Sequence, residues 1–256
     1  FSDLVSTLPS DQVLLKLDTT TQTLNVRGGS STNDIKCIDA QEFPPMPVPD
    51  FEGAVQINVG DFREMIHQVA FAASSDEARP VLMGVLVQVD KDKLTMAAAD
   101  GFRLSVRKAV LSTPSAAPVS AIVPAQALKE LARVATDGEE PIYMVLPKGR
   151  GQVVFRVKDV EVASQLIDGT FPDFQQIIPR SYKSRTLVST SSLLKACKQA
   201  EIFAREGSNV ARFNIKTAQS DMQPSEVEIS ATSEETGKNE TIVEATVDGS
   251  GLLIAF

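Results

Sequence analysis

Tryptophan is absent from this sequence, histidine occurs once, and tyrosine and cysteine occur twice each. Each scarcity closes off a chemistry. With His67 as the sole imidazole, a histidine-rich metal site is excluded, and any Ser-His-Asp set must use that one residue. His67 falls on the polar face of a helical pattern with no partner near it in sequence, so a solvated or phosphate-facing role outranks a catalytic one. Cys37 and Cys197 lie far apart and match no metal or redox spacing, which reads as two free thiols in a reducing compartment. No apolar run is long enough to span a bilayer, and no secretory leader is recognisable in a chain that opens on Phe1 rather than Met. Gly28-Gly29-Ser30-Ser31 lacks the lysine and the following helix of a phosphate cradle, and Lys148-Gly149-Arg150-Gly151 lacks Walker spacing. Positive charge is short as well. Lys and Arg total 25 against 33 Asp and Glu, a net charge of −8, the reverse of an ordinary DNA-binding domain. No catalytic, metal or cofactor reading has a residue set to carry it.

What the chain does have is a repeat. Ile57 to Ala73 reads as a short strand entering an amphipathic helix, with Phe62, Met65, Ile66, Val69 and Ala73 on one face and Asp61 as the expected N-cap. The pattern returns in Val123 to Ala135, with Leu128, Leu131, Ala132 and Ala135. It returns again in Val188 to Ala204, with Leu193, Ala196, Cys197 and Ala200. The three begin about 65 residues apart, a period that marks a repeated structural unit. Between helices the chain reads as β: Leu82 to Val89, Leu94 to Ala98 and Arg103 to Val106 after the first; Tyr143 to Leu146, Val153 to Val157 and Val160 to Leu166 after the second. The unit is strand, helix, then three antiparallel strands, and the fold class is α+β.

Two proline-bearing segments punctuate the repeat. Asp39 to Asp50 contains four prolines and is expected to be an extended linker, since proline forbids helix and central strand. Asp168 to Phe174 resembles it, and Phe43-Pro44 stands about 130 residues before Phe171-Pro172, twice the helix period. The linkers bracket two units, which makes residues 52–180 one complete domain, 1–51 the last part of a preceding domain and 181–256 the first part of a following one. On this reading the chain is cut at both ends.

The polar faces of the helices carry Arg63 and His67, then Lys129 and Arg133, then Lys195, Lys198 and Arg205. Acids such as Glu64, Glu130 and Glu201 dilute them, yet bases lead on all three. Repeats that set their helices side by side would form a basic stripe within an acidic body, able to attract phosphates locally while the outside repels them. No aromatic residue sits on these faces, so contact with the nucleic-acid backbone is expected in place of base stacking.

Here the sequence resembles a known family, the bacterial DNA polymerase III β subunit, or β sliding clamp. The match rests on Asp39 to Pro49, on Ala99-Asp100-Gly101-Phe102-Arg103-Leu104, on Ile122-Val123-Pro124, and on Leu166-Ile167-Asp168-Gly169-Thr170-Phe171-Pro172-Asp173-Phe174. The resemblance implies a DNA-clamp fold with two units per domain, helices lining a ring and antiparallel sheets outside. It implies a non-catalytic processivity factor without cofactor, cytoplasmic and nucleoid-associated, whose homodimer encircles duplex DNA. The partners it implies are the polymerase III α subunit, the clamp loader and repair polymerases. They bind through a short peptide in a cleft whose near wall maps to Leu82, Ala99, Gly101, Phe102, Arg103, Leu104, Pro172, Gln176 and Ile177. Ala99, Phe102 and Gln176 depart from the threonine, histidine and arginine often found there. The ring joint maps to Ile202, Phe203, Glu235 and Glu240, while the facing strand near Ser30 to Ile35 is polar where the family is basic. A chain of this extent alone is expected not to close a ring. The competing class is a protein-binding scaffold of the same fold that does not encircle DNA.

Overall fold

The three repeat helices form where the apolar period puts them, and the residues that recur are the ones that face the core. The computed structural model describes residues 1–42, 49–136, 138, 140–218 and 224–256. The expected extended linker falls largely on 43–48 and lies outside them. The chain divides into two units, Phe1–Pro172 and Asp173–Phe256.

The first unit opens with helix α1 (Ser2–Ser6) and a three-stranded antiparallel sheet of β1 (Leu14–Asp18), β2 (Thr23–Gly28) and β3 (Ser31–Lys36), in that order. Two repeats follow. The first is β4 (Val55–Ile57), α2 (Val59–Val69), β5 (Gly84–Asp90), β6 (Lys93–Ala99) and β7 (Leu104–Val110). The second is β8 (Val119–Pro124), α3 (Ala125–Val134), β9 (Ile142–Val145), β10 (Gln152–Val157) and β11 (Val160–Gln165). The order of elements is the one the sequence predicts, but neither repeat closes on itself. The sheets run β11-β10-β9-β4 and β7-β6-β5-β8. The leading strand of each repeat therefore pairs with the first post-helical strand of the other, Val55↔Met144 in one sheet and Val85↔Val123 in the other.

The core follows from this exchange. Phe62, Met65, Ile66 and Val69 on α2 and Leu128, Leu131, Ala132 and Ala135 at α3 are all buried, in one cluster with both sheets. The two helices pack against each other. Phe62 meets Phe155 of the opposite repeat with ring centroids 6.0 Å apart.

Two expectations shift. Asn58, not Asp61, caps α2. Its extended backbone lets the side chain accept the Asp61 N–H at 3.0 Å, so the helix begins at Val59 and Asp61 sits in the first turn, where the helix dipole favours an acid. Leu82 belongs to a 3-10 turn, Pro80–Met83, rather than to the strand. The strand that follows is buried on both faces over most of its length. Its outer face is covered by the 166–171 segment, whose Ile167 N–H bonds the carbonyl of Ile122 at 2.9 Å beside buried Leu86. In α1, Leu4 and Val5 are half-buried but Phe1 is exposed.

The second unit repeats the plan once: β12 (Ser184–Val188), α4 (Thr190–Arg205), β13 (Arg212–Lys216), β14 (Ser225–Ser233), β15 (Gly237–Gly249) and β16 (Leu252–Ala255), in one sheet ordered β12-β15-β14-β13-β16. Here β16 pairs with β13 as β8 pairs with β5. Ala196 and Ala200 of α4 are buried, while Leu193 and Cys197 are half-buried beside that core. Burial also pushes the Cys197 thiol above its ordinary pKa, which leaves it less thiolate and less reactive.

The same repeat position is thus held unequally. Truncation of a fully buried Phe62 or Leu128 to Ala is expected to destabilise the first unit by about 3–5 kcal/mol, whereas Leu193→Ala should cost the second unit under about 2 kcal/mol. Urea unfolding of the three variants checks this; equal losses would show that the repeats are packed alike.

Candidate nucleic-acid interface and partner cleft

The helices bury one face and turn the other outward, and the bases lie on the outward one. His67, Lys129, Arg133, Lys195, Lys198 and Arg205 are exposed and Arg63 is half-buried. Within the first unit α2 and α3 share a core and touch, so Arg63, His67, Lys129 and Arg133 belong to one two-helix layer. Acids engage some of this charge. Arg133 Nε pairs with Glu130 at 2.7 Å and Arg205 Nε with Glu206 at 3.6 Å, both exposed contacts of the kind worth about 1 kcal/mol or less. Lys129, Lys195 and Lys198 make no ion pair among the described residues, so they offer the least compensated positive charge.

Of the residues expected to line a partner cleft, Ala99, Gly101, Phe102, Arg103 and Leu104 fall on a single turn of the first unit. Ala99 ends β6, Leu104 begins β7, and the two are cross-strand partners. Between them Gly101 adopts φ +95°, a conformation that disfavours a side chain. Asp100 ties the turn. One carboxylate oxygen accepts the N–H of Phe102 at 2.9 Å and that of Arg103 at 3.0 Å, and the other accepts Arg103 Nε at 2.9 Å. Phe102 is left at the tip, 95% exposed. The Arg103 guanidinium carbon stands 5.5 Å from the ring centre of Phe71, which is also exposed. Leu82 and Leu104 are half-buried. Ser74 donates its N–H to the carbonyl of Leu82 at 2.8 Å, which anchors that loop. Gly169, at φ +131°, passes so close to Val81 that an added Cβ would lie 2.7 Å from it; this carries the segment toward exposed Pro172. In the second unit, Asp173 accepts the Gln175 N–H at 3.1 Å and Gln176 Nε2 at 2.8 Å, capping a 3-10 turn that buries Phe174 and leaves Ile177 65% exposed.

Sequence reasoning passed over Asp100 as a site residue, although Asp-Gly-Phe-Arg carries the signal: an Asx turn followed by an arginine three residues on. Hydrogen bonding from the Phe102 N–H, with the Arg103 N–H and guanidinium, outweighs burial and holds the Asp100 carboxyl below its ordinary value near 3.8. A carboxyl depressed in the folded state stabilises the turn when ionised, so the contribution is full at neutral pH and lost as pH falls through about 4 and below.

The expected joint residues all lie in the second unit. Ile202 is 56% exposed on α4, while Phe203 is half-buried against the core. Glu235 is exposed in the turn after β14, and Glu240 on β15 is paired with Lys238 at 2.6 Å. The strand β15 meets β12 only from Ala245 to Gly249, so the stretch from Lys238 to Glu244 is paired with β14 alone. Beside that edge lies a groove of about 560 Å³, lined by Ser192, Lys195 and Gln199 of α4 and by Thr241 and Ile242.

Repeated strand-helix-three-strand units, amphipathic helices with basic outer faces and antiparallel sheets define a DNA-clamp fold. Family models agree: the DNA polymerase III beta subunit central domain matches residues 56–173, and its C-terminal domain matches 175–256. The chain is 34% identical to the beta sliding clamp of Bacillus subtilis over 258 residues, covering 100% of the chain and 66% of that protein. The figures for the beta sliding clamp of Staphylococcus aureus are 34% over 257 residues, with the same coverage. Among solved structures, the crystal structure of the DNA polymerase sliding clamp from Bacillus subtilis superposes with a TM-score of 0.76 at 29% identity, again over 100% of this chain and 66% of that one. The chain belongs to the DNA polymerase III beta subunit family, as the ADGFRL and DGTFPDF segments led one to expect, and it spans 66% of the length of the curated relatives it matches. Among the described residues no group of three or more His, Cys, Asp or Glu is placed to hold a metal ion, and no helix is long and apolar enough to cross a membrane.

Asp100→Asn is expected to accelerate amide exchange at Phe102 and Arg103 at pH 7 and to flatten the acid dependence of that exchange. Hydrogen exchange followed by NMR reads both; an unchanged profile would mean the carboxylate does not hold the turn.

Proposed function

We propose that this protein is the DNA-encircling part of a sliding clamp: a non-catalytic processivity factor that slides on duplex DNA and tethers a polymerase. The observation that carries the proposal is the exposed lysine set on helices whose opposite faces pack against a core, in a chain of net charge −8. Such an arrangement attracts backbone phosphates locally without the many firm contacts that would impede sliding. Arg63, His67, Lys129, Arg133, Lys195, Lys198 and Arg205 face the DNA. Residues 1–51, 52–180 and 181–256 are parts of three successive clamp domains. The protein works in the cytoplasm at the nucleoid.

The turn at Asp100–Arg103 serves as the near wall of a peptide cleft. Leu82, Ala99, Gly101, Phe102, Arg103, Leu104, Pro172, Gln176 and Ile177 receive short segments of the polymerase α subunit, the clamp loader and repair polymerases. Half-buried Leu82 and Leu104 supply apolar area, and Gly101 admits a peptide backbone. Two copies pair into the ring through Ile202, Phe203, Glu235 and Glu240, with the unpaired β15 edge as the strand that accepts the partner. A scaffold that never encircles DNA draws on the net charge of −8 and on the polar edge strand β3, and the family relationship does not favour it.

The full-length protein loaded on nicked circular DNA is expected to stay bound through gel filtration and to be released when the circle is cut. Lys129→Glu, Lys195→Glu and Lys198→Glu together should lower loading about tenfold or more, since each removes and reverses a phosphate-facing charge. Equal retention on circular and linear DNA, or full loading of the triple variant, would overturn the reading.

A further inference from the structure

The two exchanged strands are held unequally. β8 runs for six residues against β5 and takes a further bond at its other edge, from the Ile167 N–H to the Ile122 carbonyl. Its counterpart β4 is three residues long and pairs with β9 alone. So short a ladder resists fraying poorly. The chain just ahead of β4 adds a second hold. Asp50 accepts the Glu52 N–H at 2.8 Å, the Phe51 carbonyl accepts the Ala54 N–H at 3.1 Å, and Gly53 takes φ +76° between them. This tied turn lays Phe51 against Arg156 of β10, whose guanidinium carbon stands 3.8 Å from the ring centre. Tyr143 of β9 completes the stack, its ring centre 5.4 Å from the same carbon and 6.5 Å from the Phe51 ring in edge-on geometry. All three side chains are half-buried. Tyr143 is also the register partner of Gln56 on β4 and of Arg156 on β10, so the stack sits directly beside the short strand.

Arg156 has a second partner within cross-strand reach. Glu161 lies opposite it on β11 and is exposed. Among the described residues the guanidinium makes no ion pair, with Glu161 or any other acid, and rests on the two rings instead.

We propose that the Phe51–Arg156–Tyr143 stack is a lock on the exchanged strand β4, and that its release turns the chain entering the repeat pair into a hinge. The guanidinium has two seats. On the rings it pins residues 50–54 and keeps β4 docked on β9. Turned to Glu161, it leaves Phe51 without support and lets β4 peel away while the longer β8 stays in place. A cation–π contact at a partly exposed site is weak enough to open thermally and strong enough to bias the strand. Release of β4 lengthens the free chain between residues 1–42 and the two repeats, which is how a few residues at an element's end act as a hinge. The hinge step rests on the domain boundary proposed above at residue 52; the lock does not.

The test uses the full-length protein. Hydrogen exchange read by mass spectrometry compares Ala54–Ile57 with Val119–Val123 of β8. Arg156→Gln is expected to speed exchange at Ala54–Ile57 roughly five- to tenfold and leave β8 unchanged. Phe51→Leu, which keeps apolar bulk but removes the ring face, should do the same, and Glu161→Gln should slow exchange at Ala54–Ile57. Equal acceleration in both strands would make the stack ordinary packing and overturn the lock, as would no acceleration at β4. Spin labels on exposed Thr19→Cys and Lys108→Cys, with Cys37→Ser and Cys197→Ser, read the hinge. Arg156→Gln should broaden their distance distribution; faster exchange with an unchanged distribution overturns the hinge and the boundary it rests on, and leaves the lock.

Discussion

The structure depends on a reciprocal exchange of leading strands. Each repeat of the first unit makes a strand, a helix and three more strands, but the first of these completes the sheet of the neighbouring repeat: β4 beside β9 and β8 beside β5. A helix alone buries one face, and a three-stranded sheet alone offers too little area to cover it. Two repeats interlocked this way share a single core in which Phe62 reaches Phe155 and α2 lies against α3. The period in the sequence is thus a unit of construction without being a unit of stability.

Both candidate surfaces follow from that arrangement. Because the helices' apolar faces are committed to the shared core, their other faces are free to carry charge, and bases collect there while acids dominate elsewhere. The ADGFRL turn arises from the same design. It joins β6 to β7, adjacent strands of one sheet whose register places Ala99 opposite Leu104, and Asp100 fixes the intervening loop through three hydrogen bonds. A rigid sheet under a tied turn presents Phe102 and Arg103 in fixed places, as a recognition surface requires.

Much of this was legible in the residues. The helices announce themselves because a 3.6-residue period in Phe62, Met65, Ile66 and Val69 survives any tertiary context. Strand β3 was visible only through the family resemblance: Ser-Thr-Asn-Asp-Ile-Lys carries almost no apolar signal and is held as a strand by its ladder to β2. The start of α2 was displaced because Asn58 and Asp61 are both competent caps, and burial of Val59 favours the earlier one. Strand exchange left no mark at all, since pairing is settled between residues about 40 to 90 apart and local periodicity is blind to it.

The exchange can be tested on its parts. Residues 52–112 hold the first repeat and 113–172 the second, each with its own helix and strands but without the leading strand that its sheet needs. Far-UV circular dichroism and urea unfolding of the two pieces, separate and mixed, ask whether a repeat folds alone. Interlocking predicts that neither piece shows a cooperative transition by itself and that mixing them restores one. A cooperative transition in an isolated repeat would contradict it.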